Sequence, residues 1–329
     1  MISFRFHVVS ITAVFLAIAI GVVVGTTYVD GAVVNGLRNR IGSVSDTLDV
    51  RKAENDRLAQ QLEAVQGYID TSGAYAVSGR LPTVPVLVLA ARGIDDKTVD
   101  QVVRLARQAG AATPGVVWLE ERWALSNPDD RAALADIVGE RPTASTPALW
   151  DAAWSAVVQE LTVGATPPLS AGSTTTSSTT PATAAPPPAV LSSLATAGFL
   201  ALDPLGDDST GLADLAGRSP RVVLITGARA RAQVLSMLPL VVEAPVAGGL
   251  PTVVADVYVD APAAPARGTV VTALLPAGKT DRVAVVDDAD LPEGRVATVL
   301  ALDAVGDGRG GHFGYGRGAD GVLPSWTPP

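Results

Sequence analysis

Residues 8–29 of this chain read VVSITAVFLAIAIGVVVGTTYV, a run without a single charged side chain. About 20 consecutive apolar residues are what an α-helix needs to cross the hydrocarbon core of a bilayer. Arg5 and His7 precede the run and no acidic residue occurs before Asp30, which favours an N-terminus that stays in the cytoplasm. We therefore predict a cytoplasmic head (1–7), a transmembrane helix (8–29) and an extracytoplasmic remainder.

A cleaved signal peptide is the alternative interpretation of the same run. The run is longer than a usual signal-peptide core and has no A-x-A cleavage site, although Val23 and Gly25 form a weak small-residue site. An uncleaved signal-anchor is therefore the preferred prediction. Gly21 and Gly25 form a G-x-x-x-G pair, which would let two membrane helices approach closely. Ordinary glycine content in a membrane helix explains the pair equally simply.

Directly beyond the run, apolar residues recur in alternating steps of three and four, which is the pattern of a coiled coil. The predicted seam consists of Val34, Leu37, Ile41, Val44, Leu48, Arg51, Asn55, Leu58, Leu62, Val65 and Ile69. Asn55 falls at an a position, where one buried asparagine fixes the register and favours two parallel strands. We predict a coiled-coil stalk over residues 31–70 that joins copies into a parallel homodimer or a higher homo-oligomer. The alternative is that the stripe packs on the chain's own globular domain.

The net negative charge of the chain comes from the residues after 69. The formal net charge of the 329 residues is −9, and residues 1–69 contain equal numbers of basic and acidic side chains. An acidic domain argues against nucleic acid as a partner, because phosphate binding needs clustered Lys and Arg. The chain has no cysteine, which excludes disulfides, thiolate metal sites and a cysteine nucleophile.

The remainder alternates apolar runs with helical patterns, which predicts an α/β domain with a mainly parallel sheet flanked by helices. The predicted strands lie at 84–91, 116–119, 221–226, 251–259, 269–275 and 283–287. The domain is expected to span residues 80–306 and to be followed by a glycine-rich tail, 307–329. Residues 165–188 interrupt it: 17 of these 24 residues are Ser, Thr or Pro and none is charged. We expect this tract to be disordered, as a bare linker or as a site of O-glycosylation.

Candidate metal ligands occur near the C-terminus. Asp287, Asp288 and Asp290 gather where a strand meets a helix and could hold Mg²⁺ or Ca²⁺, although helix capping explains them as well. His312 could bind a transition metal, but His7 is the only other histidine, so a packed or surface role is the simpler interpretation. No catalytic motif is recognisable, and we predict neither an enzyme nor a bound cofactor.

Several motifs resemble those of the actinobacterial copper-transporter family, whose namesake is the mycobacterial copper-transport outer-membrane protein. They are MISFRFHVVS (1–10), the apolar run that continues from it to Gly25 and Thr26, VDDAD (286–290) with GRVA (294–297), and GHFGYG (311–316). The resemblance implies a cell-envelope protein of copper efflux or homeostasis, with pore formation as one route. Copper would then be the transported ion rather than a cofactor.

The architecture by itself supports a second hypothesis. A single-span anchor with an external coiled coil would suit a non-catalytic scaffold that regulates a cell-wall hydrolase or a division partner. Both hypotheses place the protein in the cell membrane or envelope, in contact with membrane lipid, with the bulk of the chain outside the cytoplasm.

Overall fold

The computed structural model describes residues 4–163, 189–204, 211–228, 230, 250–257, 269–274 and 281–325, and for residues 26–34 it describes the backbone only. The chain divides into two compact units, Met1–Val65 and Gln66–Pro329. Helix α1 spans Phe4–Val77. Its residues up to Val65 form the first unit, and its last residues belong to the second unit. Its segment Phe4–Gly25 has a mean hydropathy of 2.7 and no buried residues, and is the candidate membrane span within the described part of the chain.

A seven-stranded sheet forms the centre of the second unit. Its strands are β1 (Val86–Ala91), β2 (Gly115–Leu119), β3 (Leu200–Pro204), β4 (Arg221–Gly227), β5 (Thr252–Val257), β6 (Val283–Val286) and β7 (Gly311–Phe313). Their order is β3-β2-β1-β4-β5-β6-β7. All neighbouring pairs are parallel except β2 and β3. The expected mainly parallel α/β sheet is therefore confirmed.

Six further α-helices accompany the sheet in the part of the chain that the structure describes. They are α2 (Asp96–Gln108), α3 (Pro128–Val138), α4 (Thr146–Val163), α5 (Val190–Thr196), α6 (Thr269–Leu274) and α7 (Pro292–Gly306). Asn127 caps α3 by accepting the Asp130 N–H at 2.8 Å, and Pro128 fills the first helical position, as the sequence predicts. Helix α7 contacts β4, β5 and β6 and packs against α2.

The core follows from the apolar strands. Every residue of β1 and β2 is buried, as expected for parallel strands that have both faces covered. Next to β2, the rings of Trp123 and Trp154 stack with centroids 5.0 Å apart, and Phe199 meets Trp123 edge-on. These three side chains pack together where α4 meets the residues that follow β2 and the residue that precedes β3.

The C-terminal end of α1 packs within the second unit. Gly73 and Val77 are buried, and a Cβ atom added at Gly73 would lie 2.7 Å from Cγ2 of Val296 in α7. One heptad before Val77, the Asp70 carboxylate pairs with the Arg295 guanidinium at 3.0 Å. A glycine contact and an ion pair thus join this end of α1 to α7.

One predicted strand is wrong. Residues 269–275 were expected to be a strand, but Thr269–Leu274 form α6. Val270, Val271 and Leu274 are buried while the two residues between them are exposed, and this spacing belongs to a helix. A short apolar run carries too little periodicity to separate a strand from a buried helical turn.

Two strands were not predicted: β3, which contains a proline, and β7, which lies inside the glycine-rich segment that was expected to be a tail. Three parts of the predictions lie outside what the structure describes. They are the Ser/Thr/Pro tract at 165–188, the last two residues of the strand predicted at 251–259, and the side chain of the seam residue Val34.

Candidate functional site

The sequence candidates Asp287 and His312 meet at one edge of the sheet. Strands β6 and β7 are parallel, with Val286 opposite Phe313, so the residues that follow each strand emerge on the same side. Asp287 follows β6 directly, and His312 lies within β7. The parallel register therefore brings together two residues that are 25 positions apart in the sequence.

His312 and Asp287 form a buried pair. Nε2 of His312 lies 2.7 Å from Oδ2 of Asp287, and the two side chains are 5% and 0% exposed. A neutral imidazole in this position donates its Nε2 proton to the carboxylate and keeps Nδ1 as an acceptor. The His312 backbone is held as well, since its N–H donates to Oδ2 of Asp320 at 3.0 Å. The imidazole is thus fixed in one orientation by its carboxylate partner, as metal-binding histidines commonly are.

Asp288 lies beside this pair in a strained conformation. Its φ of 58° is in the left-handed region, which few residues other than glycine adopt without cost. Its carboxylate accepts the Tyr315 N–H at 3.1 Å. Burial raises the pKa of Asp288; the Tyr315 N–H opposes the rise, and the nearby negative charges of Asp287, Asp290 and Glu293 add to it. Asp288 therefore takes up a proton more readily than an ordinary aspartate.

Tyr315 and Glu293 complete the group, which we call the β6–β7 edge cluster (Asp287, Asp288, Glu293, His312 and Tyr315). The Tyr315 hydroxyl donates to Oε1 of Glu293 at 3.1 Å. Burial is the largest cause that raises the pKa of Tyr315, and the negative charge of Glu293 and this hydrogen bond raise it further. Oε2 of Glu293 is buried and has no hydrogen-bond partner among the described residues. The cluster thus contains three carboxylates, of which that of Glu293 has one oxygen without a hydrogen-bond partner among the described residues.

Glycines allow the loops of the cluster to approach each other. Gly314 has a φ of +118°, and a Cβ atom there would lie 2.8 Å from Cβ of Asp287. A Cβ atom at Gly294 would collide with the backbone carbonyl of Asp288. A larger residue at 314 would push the loop after β7 away from Asp287, and a larger residue at 294 would push the first turn of α7 away from Asp288. The GHFGYG motif is the sequence signal for the first of these contacts, although no sequence pattern assigns a role to Tyr315 or Glu293.

The fourth metal candidate, Asp290, lies next to the start of α7. Its backbone carbonyl oxygen accepts a hydrogen bond from Nη1 of Arg295 at 2.6 Å. Within the described ranges, no three His, Cys, Asp or Glu side chains converge in a way that could hold a metal ion. The His312–Asp287 pair by itself supplies two ligands, fewer than the three or four protein ligands of typical transition-metal sites.

The predicted interface residues of α1 face outward in the single chain. The apolar seam residues are 49–63% exposed: Leu37, Ile41, Val44, Leu48, Leu58, Leu62 and Val65. Asn55 is exposed too, and nothing lies within 4 Å of a Cβ atom built at Gly21 or Gly25. The first unit thus carries an apolar stripe, interrupted by Arg51 and Asn55, that the described residues of the chain leave exposed.

A family model described as copper transport outer membrane protein, MctB, matches residues 1–324. The chain is also similar to the copper transporter MctB of Mycobacterium bovis and to that of two strains of Mycobacterium tuberculosis. Each relative is 27% identical over 331 residues, which cover 99% of this chain and 100% of the relative. The similarity therefore includes both the long N-terminal helix and the α/β unit.

Proposed function

We propose, since the chain belongs to the family of the copper transport outer membrane protein MctB, that it is a membrane-anchored protein of the cell envelope that takes part in copper transport or homeostasis. The observation that carries the proposal is the match over residues 1–324, which includes both the long N-terminal helix and the sheet of the α/β unit. The role is non-catalytic: copper is cargo, and the chain contributes an anchor, a stalk and an α/β body.

The anchor in this proposal is the N-terminal segment of α1. Phe4–Gly25 is long and apolar enough to cross a bilayer. Arg5 and His7 would remain in the cytoplasm, so the residues beyond the span would lie outside it. The α/β unit would then meet copper outside the cytoplasm, where an efflux protein acts. Protease treatment of intact spheroplasts tests this topology: cleavage within 66–329 is expected, and complete protection would contradict it.

The stalk in this proposal is a parallel coiled coil of two or more copies. Its support is the exposed seam of α1, where each apolar side chain that becomes buried against a partner gains roughly 1 kcal/mol. Asn55 at an a position would favour the parallel dimer in register. Since the one candidate span found among the described residues cannot enclose a pore by itself, a copper pathway across the membrane would be built from several copies.

Cross-linking tests the stalk directly, because the chain has no cysteine. A Leu48→Cys variant places one thiol at the seam, and a Gln60→Cys variant places one on the opposite face of the same helix. Mild oxidation of membranes is expected to give a disulfide-linked dimer with Leu48→Cys and little with Gln60→Cys. Equal cross-linking of the two variants, or none in either, would contradict the parallel seam.

The copper role is tested in cells. Deleting the gene is expected to raise cellular copper and to lower the copper concentration that the cells tolerate. The wild-type gene should restore both values, whereas a variant with charged residues in the seam should not. Unchanged copper content and tolerance after deletion would refute the proposed role.

The exposed seam also favours a second candidate function, in which the stalk binds a helix of another envelope protein, such as a regulator of a cell-wall hydrolase. Affinity capture of the full chain should then recover a partner that is lost with Leu58→Asp at the seam and kept with Gln60→Asp on the outer face. Capture that does not differ between these variants would remove the support for a scaffold.

A further inference from the structure

The second unit contains a polar pocket that the proposed copper role does not use. It lies where the C-terminal end of α1 meets α2 and α7, and its cavity volume is about 140 Å³. The lining residues are Ile69, Asp70, Gly73, Gln101, Arg104, Leu105, Gln108, Pro292, Arg295 and Val296. This volume has room for several water molecules, and hence for a group the size of a phosphate or a carboxylate.

Arg295 presents donors to this pocket. The residue is 6% exposed, and its guanidinium is fixed by two hydrogen bonds, from Nη1 to the Asp290 carbonyl and from Nη2 to Oδ1 of Asp70. A guanidinium carries five N–H donors, so most of them have no partner among the described residues. Because Arg295 lines the pocket, an oxyanion there would accept hydrogen bonds from the remaining donors.

Arg104 adds a second guanidinium at the same pocket. It is exposed on α2 and makes no hydrogen bond or ion pair with the described part of the chain. With Arg295 and the single carboxylate of Asp70, it gives the pocket an excess of one positive charge in a chain of net charge −9. The neutral amides of Gln101 and Gln108 supply further donors. Size, charge and free donors all match an anion and not a cation.

We propose that this pocket binds an oxyanion, as a phosphate or a carboxylate group, between Arg104 and Arg295. A carboxylate is planar and a phosphate is tetrahedral, and a guanidinium can donate two parallel hydrogen bonds to the oxygens of either group. The bound anion competes with Asp70 for Arg295, because both accept from the same guanidinium. Binding at this pocket involves no copper and does not depend on the proposed transport function.

The test is calorimetric titration of the full-length protein in detergent micelles with sodium phosphate and, separately, with sodium acetate. Sodium chloride at equal ionic strength is the reference. Saturable binding of at least one oxyanion above the chloride reference is expected, and the tighter of the two identifies the preferred group. No saturable binding of either anion up to about 50 mM, which corresponds to a very weak site, would show that the pocket holds water only and would overturn the proposal.

Matched variants locate the binding. Arg104→Gln is expected to weaken it about tenfold, because one charge-assisted contact is lost. Lys97→Gln removes the same charge from α2 outside the pocket and should leave the affinity unchanged. Asp70→Asn removes the competing carboxylate and should tighten binding several-fold. Equal losses with Arg104→Gln and Lys97→Gln would show a nonspecific charge effect and would refute the assignment.

Discussion

Replacing Gly73 by alanine tests how the end of α1 is held in the α/β unit. The added Cβ atom would lie 2.7 Å from Cγ2 of Val296, closer than carbon atoms approach without displacement. Val296 is buried and β-branched, so its side chain has few alternative rotamers within a helix, and α1 and α7 must separate instead. Overpacking of this kind typically costs about 1–3 kcal/mol, which exceeds the gain of about 1 kcal/mol expected from the higher helix propensity of alanine.

Gly67 provides the matched control on the same helix. It is exposed, and nothing lies within 4 Å of its added Cβ atom, so Gly67→Ala should stabilise by up to about 1 kcal/mol through helix propensity alone. The two variants should therefore differ by about 1–3 kcal/mol in unfolding free energy, which in a unit of this size corresponds to roughly 2–6 °C in Tm. Differential scanning calorimetry or urea unfolding measures the difference. If Gly73→Ala proved as stable as Gly67→Ala, the close contact between α1 and α7 would be refuted.

Three further predictions concern the stalk, a buried glutamate and the histidine pair. Leu58→Asp should convert the proposed dimer to monomer in analytical ultracentrifugation, because a charge replaces a buried seam residue; an unchanged mass would contradict the seam. Burial raises the pKa of Glu160, although the Leu191 N–H opposes the rise, so the stability that the protonated form provides is lost as pH rises through the raised pKa. Glu160→Gln should then match the wild type near pH 4 and exceed its unfolding free energy at pH 7; a difference between the two proteins that does not change with pH would refute this. His312→Ala should cost about 3 kcal/mol in urea unfolding by leaving the Asp287 carboxylate without its imidazole partner, and Asp287→Asn in the same chain should recover part of that loss.

The sequence predicted those strands whose identity depends on local composition. Within the strand predicted at 84–91, residues 86–91 are a continuous apolar run directly after Pro85, and β1 occupies this run. The strand expected at 269–275 failed because its pattern is equally compatible with the helical turn that the structure contains. Strand β7 has three residues, one of them glycine, and composition gives no indication of a strand that short. It forms because β6 offers it a parallel edge.

The sequence predicted three members of the β6–β7 edge cluster, Asp287, Asp288 and His312, but not their contacts. Asp287 and His312 were each recognisable as titratable residues near the C-terminus, yet their pairing at 2.7 Å depends on the register between β6 and β7. That register is a non-local property which the spacing of residues along the chain does not contain. Tyr315 joins the cluster for the same reason, since the loop after β7 turns back towards Glu293 only once Gly314 has adopted its positive φ.

The heptad stripe of α1 shows why a periodic pattern alone does not identify what it packs against. From Leu37 to Val65 the apolar stripe is exposed in the single chain, whereas Ile69 and Val77 pack against the core of the α/β unit. The repeat is continuous, so the sequence alone supported both a partner helix and the chain's own domain as the surface it covers. The structure assigns the own-domain contact to the last turns of α1, where Gly73 permits close approach to Val296. In the proposed stalk, a second copy of α1 would cover the exposed part of the stripe with a helix of equal length and like periodicity.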